Sequence, residues 1–249
     1  MRSARFGQLA SILPDCGSTQ DIVRAVAGAF GPEGFVSMTD HQLAGRGRRG
    51  REWRAEPGQA LLFSILLRPR TPLEALAPLS LVAGIAVAEA LPIDARVRWP
   101  NDVVVGGAKI AGVLAELETP GERPPYVILG IGVNVDMPPA SLPPTERLPA
   151  TSLLVETGAH TDRLALFGTL MNRLQAAYEE FETLGFSALH DRYAAVDDLA
   201  GRTVDVIVGA EVVRGEAGGV DGAGRLVVRL PDGTERRLDS GEVEHVAES

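Results

Sequence analysis

Residues 95–118, ARVRWPNDVVVGGAKIAGVLAELE, contain two apolar runs that meet at Gly106–Gly107. A Gly-Gly pair between two such runs is typical of a β-hairpin, because tight hairpin turns favour residues that tolerate positive φ. A third run, PYVILGIGVNVDM at 125–137, follows a polar, proline-rich turn and alternates with a period of two. The three runs predict neighbouring β-strands.

Helical and β patterns surround this region. The predicted elements are an amphipathic helix over 18–30 that Ser18 can cap, a buried strand over 59–69, an apolar helix over 78–92, and helices over 161–185 and 187–199. Residues 138–152 hold too much proline for a regular element and predict a surface loop. From Gly201, short Val-rich strands alternate with Gly and Asp-Gly turns, which predicts a small β-barrel. We expect an α+β domain over 1–200 and a β-barrel domain over 201–249.

Composition limits the function classes. The 249 residues carry a formal net charge of −9, which argues against nucleic acid or an anionic membrane as the general partner. The single cysteine, Cys16, cannot form an internal disulfide, and the N-terminus lacks the apolar core of a signal peptide. We therefore expect a cytoplasmic protein, as a monomer or a homodimer.

The segment AGRGRRGREW at 44–53 carries four arginines and three glycines. Gly45, Gly47 and Gly50 match the spacing G-x-G-x-x-G, but Pro57 follows too soon for the segment to open a helix as a dinucleotide-binding turn must. We interpret it as a loop whose backbone wraps an anion, such as phosphate, while guanidinium groups donate paired hydrogen bonds. A solvated basic loop is the alternative, and a nucleic-acid patch is less favoured.

The third strand has two different faces. Its period of two places valine, leucine and isoleucine on one face and Gly130, Gly132 and Asn134 on the other. Two alternate glycines leave bare backbone, so a flat group could lie on the sheet with Asn134 poised to bind it. A bulge or a close helix crossing would explain the glycines equally well.

Lys109 begins a strand that is apolar on both faces, so we expect its ammonium group to be partly desolvated. A buried cation needs an anion, and Asp102 or Glu116 could supply it within the protein. The coincidence of this lysine, the RWPND segment at 98–102 and the glycine-bared strand is nevertheless typical of a small-molecule site.

At these residues the sequence resembles the biotin protein ligase family. The matching segments are STQD at 18–21, QLAGRGRRGREW at 42–53, RWPND at 98–102, KIAGVLAE at 109–116 and GIGVNV at 130–135. The family commonly has Asn at the position of Gln20 and Lys at the position of Arg98. Some members carry an N-terminal DNA-binding segment, for which this chain leaves no room, so the resemblance implies a monofunctional ligase.

This resemblance implies a fold and an activity. The expected fold is a mixed β-sheet with helices packed on it, of the class II synthetase-like type, followed by an SH3-like barrel. The expected enzyme uses ATP and Mg²⁺ to convert biotin into biotinyl-5′-AMP and pyrophosphate. It then passes biotin to one lysine of the biotin carboxyl carrier domain of a carboxylase.

The resemblance also implies roles for individual residues, and it assigns no metal ligand. The expected catalytic residues are Arg46, Arg48 and Lys109. The expected biotin-binding residues are Ser18, Thr19, Gln20, Gln42, Gly45, Arg46, Gly47, Arg48, Lys109 and Gly112. The expected ATP- or adenylate-binding residues are Arg48, Arg51, Trp53, Asn101, Asp102, Lys109, Gly130, Gly132 and Asn134. For Trp53, an ordinary place in the core is the alternative.

Two other functions stay open. A lipoate-protein ligase would share the fold and the adenylation chemistry, although the arginine-rich loop argues against it. A regulator that senses biotinyl-adenylate without transferring biotin is the alternative from a different functional class.

Overall fold

The computed structural model describes residues 5–121, 123–144 and 148–246. Its first part is built on a seven-stranded mixed sheet in the order β1-β2-β3-β7-β6-β5-β4. The strands are β1 (Ala10–Cys16), β2 (Val36–Gln42), β3 (Ala60–Leu67), β4 (Arg96–Arg98), β5 (Asp102–Val105), β6 (Ala108–Glu118) and β7 (Tyr126–Asn134). Strand β1 runs parallel to β2, and the other neighbours are antiparallel.

Five α-helices accompany the sheet in the described residues. They are α1 (Thr19–Gly28), α2 (Leu79–Ala90), α3 (Leu153–Thr157), α4 (Arg163–Leu184) and α5 (His190–Val196). Helices α2 and α4 share one large core with the apolar face of β7. Among the described helices, none is both long and apolar enough to cross a membrane.

The opposite face of the sheet is divided between a helix and a cavity. Val23 and Ala27 of α1 pack on Leu66, Tyr126 and Ile128 and form a second, smaller core. This packing covers one end of the face. Towards the other end β7 carries its glycines, which leaves a hollow in the sheet surface.

The second part is a five-stranded antiparallel sheet in the order β11-β10-β9-β8-β12. Its strands are β8 (Thr203–Val208), β9 (Glu211–Val220), β10 (Leu226–Arg229), β11 (Glu235–Leu238) and β12 (Glu242–Val246). The two parts are joined by buried contacts. The Trp99 indole N–H of the first part donates to the Gly224 carbonyl of the second at 3.2 Å. Within the first part, Arg98 forms a buried ion pair with Asp198, which lies just before the junction.

The expected fold class is confirmed, and several details of the prediction are corrected. The sequence pattern missed β1, β2 and α3. The run over 95–105 is two strands, since the chain turns between β4 and β5 at the cis peptide bond Trp99–Pro100. Ser18 precedes α1, but its side chain makes no capping hydrogen bond.

We place the boundary between the two domains at residues 200 and 201, in the segment between α5 and β8. This boundary stays a prediction. Parts of the predicted segments lie outside the described residues. They are residues 1–4 and 247–249 at the ends of the proposed domains and 145–147 of the proposed loop.

Candidate active site

A cavity of about 470 Å³ lies on the glycine-bearing face of the sheet. The start of α1, strands β3, β6 and β7, and the loop over 44–53 enclose it. All but two of the residues expected in the site line this cavity. They are Thr19, Gln20, Gln42, Arg46, Gly47, Arg48, Arg51, Trp53, Asn101, Asp102, Lys109, Gly112, Gly130, Gly132 and Asn134. The two exceptions are Ser18, which is buried, and Gly45, which lines a neighbouring cavity formed largely by the same loop.

Hydrogen bonds at one end of the cavity orient a side-chain amide. The backbone N–H of Thr19 donates to Gln42 Oε1 at 2.9 Å, and the Thr19 hydroxyl lies 3.1 Å from the same oxygen. That hydroxyl also lies 2.7 Å from Ser64 Oγ on β3. Because the carboxamide oxygen is engaged by Thr19, the Gln42 NH₂ group remains to donate to a ligand.

The same end holds polar atoms that need a partner. Within the described part of the chain, Ser18 Oγ and Gln20 Nε2 are buried and make no hydrogen bond. A buried donor or acceptor left without a partner costs about 1–3 kcal/mol. Gln20 lines the cavity, so a ligand that offers an acceptor would satisfy its Nε2.

The bare strand accommodates side chains of the protein itself. A Cβ atom on Gly132 would lie 2.6 Å from the Trp53 ring, and one on Gly112 would lie 3.0 Å from it. A Cβ on Gly130 would meet Gln20 at 3.1 Å. Gly132 and Gly112 therefore let the half-buried Trp53 indole approach the sheet closely, and Gly130 does the same for Gln20. No bulge interrupts β7, which pairs with both neighbours along its length.

Lys109 is paired with Asp102, one of the two partners considered from the sequence. The Lys109 ammonium nitrogen lies 2.6 Å from Asp102 Oδ1 and 5.5 Å from the centroid of the Trp53 ring. The Asp102 side chain is 2% exposed, whereas that of Lys109 is 28% exposed. The ammonium group is thus partly desolvated and faces the cavity.

The other candidate partner, Glu116, pairs with Arg24 of α1.

Three arginines of the loop are held by carboxylates from different parts of the fold. The Arg46 guanidinium makes two hydrogen bonds to Asp21 of α1, at 2.8 and 3.0 Å. Arg49 and Arg51 both pair with Glu242 of β12, the former at 2.8 Å. The guanidinium of Arg46 is therefore turned towards α1. Glu242 of the second sheet binds two other arginines of the loop.

Arg48 is oriented differently from its neighbours in the loop. Its guanidinium donates to Asn101 Oδ1 at 3.1 Å and lines the cavity. Burial, together with the charge of Arg49, lowers the pKa of Arg48. An anion in the cavity would stabilise its charged form.

Several residues at the site were not identified from the sequence. The cavity is also lined by Leu62, Ser64, Leu114, Pro143, Pro144, Leu148 and Ala150. Ser64 stands alone within an otherwise apolar strand, and that signal could have identified it. The prolines belong to a loop whose position no local pattern indicates. Asn134 helps to hold this wall, because its amide donates to the Thr151 carbonyl at 2.9 Å.

Comparisons with known proteins agree with this geometry. Residues 18–134 match the model of the Biotin/lipoate A/B protein ligase family, and residues 200–246 match that of the Biotin protein ligase C terminal domain. A biotin–acetyl-CoA-carboxylase ligase from Mycobacterium tuberculosis is 32% identical over 244 residues, which cover 94% of this chain and 88% of that protein. The bifunctional ligase/repressor BirA of Bacillus subtilis is 32% identical over 91% of this chain and 71% of its own length.

A solved structure is similar over almost the whole chain. It is a protein from Aquifex aeolicus, described as a biotin protein ligase in complex with biotin and ATP, and it superposes with a TM-score of 0.78. The two sequences are 26% identical, and the match covers 98% of this chain and 100% of the other.

Proposed function

Because this chain belongs to the biotin protein ligase family, we propose that it activates biotin with ATP and transfers it to a protein lysine. The first step forms biotinyl-5′-AMP and releases pyrophosphate. The second attaches biotin to the carrier domain of a biotin-dependent carboxylase. The observation that carries the proposal is a single cavity in which a polar end adjoins Lys109 and Arg48.

Activation of biotin joins two anions. A carboxylate oxygen of biotin attacks the α-phosphorus of ATP, and the bond from that phosphorus to the pyrophosphate oxygen breaks. Negative charge grows on the phosphoryl oxygens and on the leaving pyrophosphate, so cations in a partly dry cavity stabilise the transition state. This displacement needs no general acid or base.

Lys109 and Arg48 are suited to meet these charges. Lys109 lies beside the indole of Trp53, where we place the carboxylate and the α-phosphate. Arg48 projects into the cavity beside Asn101, and Arg51 lies farther along the loop, where we place the other phosphates. Anions bound here would take over part of the neutralisation that Asp102 gives Lys109 and that Glu242 gives Arg51.

The polar end suits the ring system of biotin. Its ureido group has one carbonyl acceptor and two N–H donors, and the amide donor on Gln42 is complementary to the carbonyl. Thr19 and Ser64 hold Gln42 in place. The adenylate would then extend towards Trp53 and Asn134.

Magnesium is the further component that we propose, as a partner of the ATP phosphates. Mg²⁺ is usually held by one or two carboxylates together with substrate phosphates and water. Asp102, a buried carboxylate in the cavity wall, fits this requirement, and no group of three or more potential ligands occurs within residues 5–121, 123–144 and 148–246. The ion would neutralise phosphate charge.

Transfer to the acceptor uses the stored energy of the mixed anhydride. The neutral amine of the carrier lysine attacks the biotinyl carbonyl, and AMP leaves. Water would hydrolyse the anhydride if it entered, so a loop that covers the cavity protects the intermediate. The glycines at 45, 47 and 50 allow that loop to fold tightly.

We also propose a cytoplasmic location and no nucleic-acid partner, in keeping with a net charge of −9 and a single cysteine. The oligomeric state that we consider is a monomer or a homodimer.

The decisive experiment is isotope exchange between pyrophosphate and ATP in the presence of biotin. Exchange that depends on biotin and not on lipoate, followed by labelling of a carrier domain, would support the proposal. Equal exchange with lipoate would indicate a lipoate ligase. Formation of the adenylate without labelling of any carrier domain would indicate a sensor.

A further inference from the structure

The loop over 44–53 is anchored to the start of α1 by one ion pair. Two nitrogens of the Arg46 guanidinium donate to the two oxygens of Asp21, at 2.8 and 3.0 Å. We propose that Asp21 is a positioning residue that keeps this loop closed over the biotin end of the cavity. The inference rests on the proposed function, because it concerns retention of biotin and biotinyl-5′-AMP.

The loop behaves as one unit because it is bonded to itself. The Trp53 N–H donates to the Gly45 carbonyl at 3.0 Å, and the Gly47 N–H donates to the Arg51 carbonyl at 2.7 Å. Arg46 also forms a β-bridge with Glu52. A tether at Arg46 therefore restrains the small hairpin that carries the cavity-lining side chains.

Asp21 is itself held in position. It lies in the first turn of α1, where the helix dipole favours a carboxylate. Arg24 pairs with Asp21 at 2.9 Å and reaches across to Glu116 and Glu118 of β6. Since α1 also presents Thr19 and Gln20 to the cavity, Asp21 links the loop to the residues that would contact biotin.

The expected effect is modest because the pair is partly exposed. The side chains of Asp21 and Arg46 are 53% and 35% exposed, and pairs of this kind contribute up to about 1 kcal/mol. Loss of the pair should therefore raise the population of the open loop by roughly two- to fivefold. Hydrogen bonding to Arg46 is the largest cause of the lowered pKa of Asp21, and Asp21 therefore stays ionised at neutral pH.

The test is the Asp21→Asn variant in two backgrounds. Release of labelled biotinyl-5′-AMP from preloaded protein should become about two- to fivefold faster, while adenylate formation at saturating biotin and ATP stays unchanged. Trypsin cleavage within 46–51 should accelerate by the same factor, because it follows the open population. In an Arg46→Gln background, Asp21→Asn should have no further effect. Glu211→Gln, which removes an exposed pair with Arg236 in the second sheet and leaves the Arg46–Asp21 pair intact, is the matched control.

The possible outcomes separate this inference from the proposed function. Unchanged or slower release in Asp21→Asn, or an equal acceleration in the Arg46→Gln background, would overturn the positioning role. A wild-type protein that forms no biotinyl-5′-AMP would overturn the proposed function itself. Thermal unfolding of each variant shows whether α1 has been destabilised.

Discussion

The pair between Lys109 and Asp102 allows stability and catalysis to be separated. Lys109→Met removes an ammonium group 2.6 Å from a carboxylate that is 2% exposed. Loss of one partner of a fully buried pair costs about 3–5 kcal/mol, but the Lys109 side chain is 28% exposed and water can reach the gap. We therefore expect a loss of about 2 kcal/mol, which corresponds to a fall in Tm of about 4–8 °C for a chain of this size.

The double variant Lys109→Met/Asp102→Asn removes both charges. Its stability should return to within about 1 kcal/mol of the wild type, because the buried amide carries no charge. Its activity should not return, because it lacks both the lysine and the carboxylate that we propose for Mg²⁺. A cation lost from the charge that develops at the α-phosphate costs about 3 kcal/mol, so both variants should form biotinyl-5′-AMP roughly 100- to 1,000-fold more slowly.

Two measurements check this reasoning. Urea unfolding gives the stability of each variant, and biotin-dependent exchange between pyrophosphate and ATP gives the activity per folded molecule. If Lys109→Met exchanged within about threefold of the wild type, the lysine would have no part in adenylation. If the double variant recovered activity along with stability, Lys109 would serve only to neutralise Asp102.

Three further variants test other parts of the site and fold. Gly132→Ala places a Cβ atom 2.6 Å from the Trp53 ring, so it should shift the tryptophan emission and raise the KM for ATP roughly tenfold, and an unchanged spectrum and KM would refute this. Gln42→Glu keeps an acceptor for the Thr19 N–H but loses the NH₂ donor. Calorimetry should show biotin binding weakened about 10- to 100-fold, whereas a change below twofold would exclude the amide as a contact. Burial raises the pKa of Asp197 to about 6, so the folded protein favours the protonated carboxyl. The stability of the fold is therefore fully present below about pH 4, where the carboxyl is protonated in the folded and unfolded states, and part of it is lost as pH rises through 6. Asp197→Asn should stabilise the protein by about 3 kcal/mol at pH 8 and by about half as much at pH 5 in urea unfolding, and a gain independent of pH would contradict this origin.

The sequence predicted the centre of the large sheet better than its edges. Strand β7 was predictable because its period of two separates an apolar face from a face with glycines. Strand β1 was not predicted, because it is an edge strand whose side chains are mostly exposed and its sequence shows little apolar alternation. In β2, buried Ser37 and Thr39 interrupt the hydrophobic pattern. Burial of these two polar residues is the physical reason for that failure.

The residues of the site were predictable where their chemistry is unusual for their surroundings. Lys109 in an apolar strand and four arginines in an acidic chain are such cases. The residues that hold the loop were not predictable. Asp21 is an acidic residue in the first turn of a helix, a common position that does not indicate contact with the loop. Glu242 lies about 190 positions away from the loop it contacts. Only the fold brings these carboxylates to the arginines.

These contacts explain how an acidic protein can keep an arginine-rich loop at the proposed anion site. Asp21 and Glu242 neutralise guanidinium groups of the loop, and Asp102 neutralises the lysine in the cavity. Arg48 differs, because its guanidinium meets an amide oxygen and its burial disfavours the charged form. A phosphate that enters the cavity therefore gains most at Arg48, where it relieves a desolvated charge, and less at arginines that must first give up a carboxylate.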